Sequence, residues 1–251
     1  MPKQNHLPLP HCQIFAHRGA NREAMENTRA AFNRALDYAI DGIETDIQLS
    51  RDEVTVLWHD RFLNRIGLQD KHIDDFDYPQ LRKLVDHESA NENILTLEEF
   101  LRDYRQRCRL LLEIKNRDWE AVERHHLKTR KTLDLAGASN ADRNILVSSF
   151  NLDSLVYAHQ YQPDMPLVYN FENDQTIADA RNLLRTHTFL YGLCLPIDTI
   201  DEAIVDLLHA HGKCVAVYTC NSDDEINTAL RLGVDILISD FPQKALALRD
   251  Q

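Results

Sequence analysis

The chain has 251 residues, 43% of them hydrophobic and 27% charged, which is ordinary globular composition and long enough to bury a large core without a disulfide or structural metal. With 28 Lys and Arg against 40 Asp and Glu, the formal charge is −12. That balance argues against nucleic acid or an anionic membrane as the main partner, but not against a small anion met by a metal or local cations.

Taken in chain order, the opening segment MPKQNHLPLPHC has no apolar core of the kind a secretory signal needs, and no run approaches a membrane span. The five cysteines form no CxxC pair and read as free thiols, so a cytoplasmic location is expected. Short apolar runs then alternate with amphipathic stretches. Strands are expected at 13–17, 42–49, 109–115, 144–150, 166–171, 191–196, 214–219 and 235–240. Helices are expected at 26–39, 119–136, 152–161, 174–185, 200–211, 223–232 and 242–249. Strand–helix alternation implies parallel pairing through βαβ crossovers. Gly42, Gly137, Gly212 and Gly233 each fall between a helix and the next strand, where a left-handed helix cap is expected. Eight main strands point to a closed (β/α)8 TIM barrel rather than an open doubly wound sheet, whose glycine fingerprint is missing.

One interval breaks the rhythm. About sixty residues separate the strand ending at Leu49 from the one starting at Arg109. They contain a return strand (54–60), a charged segment (61–93) read as an insertion near the barrel mouth, and a helix at 96–104. Thr96 and Glu99 form a capping-box pattern at the start of that helix. The whole chain, 1–251, reads as one barrel domain.

Four segments carry reactive side chains where strands end: AHRG (16–19), IETD (43–46), WHD (58–60) and LEIK (112–115). In a barrel these ends converge on one mouth. Alternation puts Glu44 and Asp46 on one face of their strand and aligns Glu113 with Lys115. A two-residue turn at Arg51-Asp52 would set His59 opposite Glu44 and Leu57 opposite Asp46. Three carboxylates meeting at one mouth must take up a proton or hold a cation, and all-oxygen ligation favours Mg²⁺ or Ca²⁺. His17 and His59 suit general acid–base work, whereas His125, His126, His209 and His211 read as structural. Arg18 can fork two hydrogen bonds to a phosphate, and Lys115 can add a point charge. Cations and histidines around a metal suit an anion that needs proton transfer at both ends, and a phosphodiester is such a group.

In order, HRG (17–19), ENTRAAF (26–32), GIETDIQL (42–49), VLWHD (56–60), TLEEFL (96–101), LEIK (112–115), VSSF (147–150), VYTCN (217–221) and GVDILISDFP (233–242) resemble the motifs of the glycerophosphodiester phosphodiesterase family. The resemblance implies a barrel with a small insertion after its second strand and a divalent metal held by Glu44, Asp46 and Glu113. It assigns His17 and His59 as the acid/base pair, and Arg18 and Lys115 as phosphate ligands. It implies hydrolysis of a small glycerophosphodiester to sn-glycerol 3-phosphate and an alcohol. Two positions depart from the family pattern. Glu53 stands where a turn glycine is usual, and Tyr218 replaces a tryptophan at the glycerol contact. Related barrel phosphodiesterases of phospholipase type, and a catalytically silent phosphodiester-binding barrel, are the competing readings.

Overall fold

The computed structural model describes residues 11–84, 93–117, 119–137 and 144–251. The opening decapeptide and part of the charged segment, 85–92, lie outside the described residues. Eight parallel strands close a barrel: β1 (Gln13–His17), β2 (Gly42–Leu49), β4 (Arg109–Ile114), β5 (Ile145–Ser149), β6 (Leu167–Asn170), β7 (Gly192–Pro196), β8 (Cys214–Tyr218) and β9 (Ile236–Ser239). The ring runs β1-β2-β4-β5-β6-β7-β8-β9, and β9 pairs back to β1. A short strand, β3 (Thr55–Leu57), adds antiparallel to the end of β2.

Helices α1 (Arg29–Leu36), α4 (Val122–Gly137), α5 (Leu152–Tyr161), α6 (Ile177–Thr186), α7 (Glu202–Ala210), α8 (Asp223–Leu232) and α9 (Pro242–Arg249) follow successive barrel strands. Helices α2 (Tyr78–Leu84) and α3 (Leu97–Tyr104) lie between β3 and β4. The starts of the surrounding helices are written locally. Capping boxes sit at Thr96–Glu99, Thr176–Asp179 and Ser222–Glu225. Each satisfies helix N–H groups that would otherwise lack a partner, and losing such a cap costs about 1 kcal/mol.

Alternation along each strand divides the apolar residues between two cores. Phe15, Leu111, Leu146, Val168, Cys194 and Ala216 fill the barrel interior. A larger layer, including Ile14, Ile43, Ile47, Leu110, Leu112 and Val147, packs outward against the helices. A third, separate cluster belongs to the interval after β2: Val56, Trp58, Leu63, Ile73, Leu81 and Ile94. This small core gives residues 61–84 packing of their own beside the barrel.

Two expectations about the backbone are corrected. Of the four glycines expected to cap helices, Gly212 (φ 63°) and Gly233 (φ 72°) take the left-handed conformation and the other two do not. Gly137 is the last residue of α4, and Gly42 opens β2. Gly42 is needed for space: a Cβ there would lie 2.5 Å from the Phe15 ring that fills the barrel floor.

The second correction concerns the β2–β3 hairpin. Its register pairs Ile47 with Leu57 and Leu49 with Thr55, one residue away from the two-residue-turn expectation. The loop has three residues, 51–53, closed by Ser50 and Val54, and Glu53 takes the left-handed position at φ 64°. This is the turn-plus-bulge solution for three-residue hairpin loops, in which the last loop residue needs positive φ. A non-glycine residue pays for that conformation by about 1–2 kcal/mol. Glu53 is exposed, and its ion pair to Lys131 spans 3.9 Å. Glu53→Gly is therefore expected to raise stability by up to about 1 kcal/mol, since the higher entropy of an unfolded glycine offsets part of the relief. A thermal melt should show a small increase; a fall would contradict the strain argument.

Candidate active site

The C-terminal ends of β1, β2 and β4 deliver the expected side chains to one mouth. On β2, Glu44 and Asp46 alternate inward and are buried, at 4% and 1% exposure. Asp46 pairs in register with Glu113 of β4, which is also buried. Ligand oxygens of Glu44, Asp46 and Glu113 lie within 4.8 Å of one another. Two cations face them. Lys115 Nζ is 3.0 Å from Asp46 Oδ1 and 2.5 Å from Glu113 Oε1. Arg18 Nε is 3.2 Å from Asp46 Oδ2, and its Nη1 donates to Glu26 at 3.2 Å.

Three acids against two cations leave one negative charge uncovered, and the pKa directions reflect it. Burial lifts Glu44 well above the usual carboxylate range, with Asp46 and Glu113 adding repulsion. Burial also works against an ionised Asp46, but Lys115 and Arg18 outweigh it and hold Asp46 below the usual range. Lys115 is raised, because its attraction to Asp46 and Glu113 exceeds the cost of burial.

This cluster fits a hard cation. Glu44 Oε2, Asp46 Oδ1 and Glu113 Oε1 are buried oxygens without a hydrogen-bond partner, although Lys115 meets the last two as ion pairs. Buried carboxylate oxygens converging without donors are costly unless a cation stands among them. A second group of possible ligands, Glu26, His59 and Asp60, lies beside it.

The two histidines are placed differently. His17 Nδ1 is 2.5 Å from Asp240 Oδ1, and its Nε2 lies 3.9 Å from Glu44 Oε2. Burial lowers its pKa below 6.5, only partly countered by the Asp240 bond. Asp240 stays below the usual carboxylate range, because the His17 and Asn21 hydrogen bonds outweigh its burial. His59 is not opposite Glu44. β3 ends at Leu57, paired with Ile47, and Trp58 N–H donates to Asp46 O, so the pairing that would set Leu57 opposite Asp46 and His59 opposite Glu44 is not formed. His59 Nδ1 instead lies 2.9 Å from Asp60 Oδ1. The three-residue loop produces this one-residue shift of the pairing. His59 nevertheless remains close enough for its charge to act on Asp46.

Several residues holding this geometry were missed by reading the chain for charged strand ends. Asn27, at φ 58°, donates to Asp46 Oδ2 at 3.0 Å and accepts from Thr45 Oγ1 at 2.7 Å. Gln48 Nε2 donates to the carbonyls of Trp58, His59 and Asp60, fixing the loop that carries His59. Asp240 also accepts from Asn21 and Asn221. Asp240 sits just past β9, so the strand-end rule could have found it. Asn27 and Gln48 carry no charge and left no such signal.

Tyr218, at the end of β8, lines a small interior hollow of about 30 Å³ with His17, Glu44, Glu113 and Phe150. Its hydroxyl donates to Phe171 O. A wider cleft of about 650 Å³ begins at Glu113 and Lys115 and extends along the loops after β4, β5 and β6.

Residues 17–244 match the Glycerophosphoryl diester phosphodiesterase family. The chain belongs to that family. It is 29% identical over 250 residues to a glycerophosphodiester phosphodiesterase of Bacillus altitudinis, covering 95% of this chain and 98% of the relative. It is 36% identical over 232 residues to an uncharacterized Mycoplasma genitalium protein, covering 86% and 90%. Among solved structures it resembles an Oleispira antarctica phosphodiesterase in complex with the product sn-glycerol-3-phosphate, with TM-score 0.82, 28% identity, and 95% and 97% coverage. Membership of the glycerophosphoryl diester phosphodiesterase family makes the chain a phosphoric diester hydrolase on a TIM barrel. No helix among the described residues is long and apolar enough to cross a membrane.

Proposed function

We propose that this phosphodiesterase hydrolyses glycerophosphodiesters to sn-glycerol 3-phosphate and an alcohol, using a divalent cation and two histidines. The observation that carries the reading is the convergence of three buried carboxylates, Arg18, Lys115 and His17 on one barrel mouth. The product complex of the Oleispira relative supports glycerol 3-phosphate as the product here. Glu44, Asp46 and Glu113 are the proposed ligands of Mg²⁺ or Ca²⁺, which would neutralise the excess acid charge and polarise the phosphoryl oxygens. Arg18 and Lys115 bind the phosphate, and Tyr218 contacts the glycerol.

His17 is the proposed general base. An ionised Asp240 accepts from Nδ1–H, which leaves the Nε2 lone pair to take a proton from water or from the neighbouring glycerol hydroxyl. Its lowered pKa keeps that lone pair free at neutral pH. His59, oriented by Asp60 and Gln48, is then the acid that protonates the departing alkoxide. Residues 61–93 are read as an insertion into one barrel domain; its described Leu63, Ile73 and Leu81 pack with Trp58, next to His59. The five free cysteines support a reducing compartment such as the cytoplasm.

The test is glycerol 3-phosphate release from a panel of glycerophosphodiesters, with and without chelator. Release that stops on chelation and returns with Mg²⁺ or Ca²⁺ is expected. Retained substrate binding without turnover in either metal would favour a silent binding barrel instead.

A further inference from the structure

The main cleft has a side pocket. About 190 Å³ in volume, it shares Lys115 and Arg117 with the wider cleft and adds His59, Arg61 and Trp119. Its wall is aromatic and cationic in an otherwise acidic protein. Trp119 is 43% exposed, with the Arg61 guanidinium 4.0 Å and the Arg117 guanidinium 5.2 Å from its ring centre. Two cations therefore share one indole. His72 supports the ring at 4.9 Å and packs in turn on Phe62 at 4.8 Å.

The two charges are covered unequally. Arg117 is buried, with Nη2 donating to Gln48 and Nη1 2.8 Å from His72 Nδ1; Asp74, 3.8 Å away, is its ion-pair partner, so the exposed Arg61 is the freer cation of the two. Burial depresses the Arg117 pKa, and Arg61 adds repulsion. Among the described residues Arg61 forms no ion pair; its side-chain contacts are the Phe62 and Trp119 rings. A guanidinium over an aromatic ring, as Arg61 is over Trp119, keeps its forked donors available for an oxyanion.

Topology says which end of a substrate would reach them. In the eight-strand ring β8 and β4 are four strands apart in either direction, so they face each other across the mouth. Tyr218 ends β8; Lys115, Arg117 and Trp119 follow β4. A diester with its glycerol at Tyr218 points its other alcohol toward Arg61 and Trp119.

From this juxtaposition we infer that the side pocket binds the alcohol half of the diester and selects alcohols bearing a second phosphate. The orientation rests on the phosphodiesterase reading above. The acids of the wider cleft, Asp153 and Glu172, are exposed and offer a cationic alcohol the competing route.

A matched pair of substrates tests it: glycerophosphoinositol and glycerophosphoinositol 4-phosphate, which differ only in the second phosphate. Wild-type kcat/KM is expected to be about tenfold higher for the phosphorylated member, a gain of the size one charge-assisted contact supplies. Arg61→Gln should bring the ratio near one, and Arg61→Lys should restore part of the preference. Calorimetric binding of the same pair to wild type and Arg61→Gln, in Mg²⁺, needs no turnover. No turnover with an Arg61-dependent binding preference would sink the hydrolase reading and keep the pocket. Equal binding of the pair, a preference for glycerophosphocholine, or a ratio insensitive to Arg61→Gln would overturn the pocket.

Discussion

His17→Ala is expected to lower kcat by about 10²–10⁴-fold while the protein still folds. The loss follows from removing the group whose Nε2 faces the mouth and whose Nδ1 is held by Asp240. Folding should survive because Asp240 is not orphaned: Asn21 and Asn221 continue to donate to it. The remaining cost is the lost hydrogen bond to a charged acceptor, about 1.5–3 kcal/mol, against a normal stability of about 5–15 kcal/mol. Turnover of a glycerophosphodiester and a thermal melt on the same sample separate the two effects. The wild-type acid limb of kcat/KM should lie below pH 6.5, because burial lowers the His17 pKa. Near-wild-type turnover in the variant would remove His17 from the mechanism.

The second large effect is at the carboxylate cluster, where activity and stability should move in opposite directions. Glu44→Gln mimics a protonated Glu44, the one acid of the three with no ion pair to Arg18 or Lys115. Without divalent cation the variant should be at least as stable as wild type. Turnover should fall by about 10²-fold or more, as when a group that positions transition-state charge is removed. The same residue gives the apo protein a pH signature. Its folded pKa is raised, so the folded state binds more protons than the unfolded one. That contribution is fully present below the unfolded carboxyl value, about 4.3, and is lost as pH rises through the raised folded value. Adding Mg²⁺ or Ca²⁺ at 100 times its dissociation constant should recover about 2.7 kcal/mol in wild type. Denaturant melts against pH, with and without cation, check this. A wild-type melt indifferent to both cations, or a Glu44→Gln variant that keeps the cation shift, would rule out Glu44 as a ligand.

Much of this site could be read before any coordinates. The eight barrel strands lie where apolar runs placed them, to within a residue or two at each end, because an inward–outward period of two is a local property. The same period put Glu44 with Asp46, and parallel neighbours then brought Glu113 level with Asp46. The capping box at Thr96–Glu99 was equally local. The hairpin was the failure. Its register depends on whether residue 53 enters the left-handed region, and a glutamate there gives no advance sign of doing so.

The sequence by itself determined the barrel, the meeting of Glu44, Asp46 and Glu113, and the place of His17 at a strand end, since strand alternation and strand-end position act over a few residues. Tertiary structure alone decided the partners and the charges. Asp240 reaches His17 across 223 residues only because β9 closes against β1. Glu44 and Asp46 are two residues apart, yet one pKa rises and the other falls. Burial penalises both, but of the two only Asp46 is ion-paired to Lys115 and Arg18, while Asp46 and Glu113 repel a charge on Glu44.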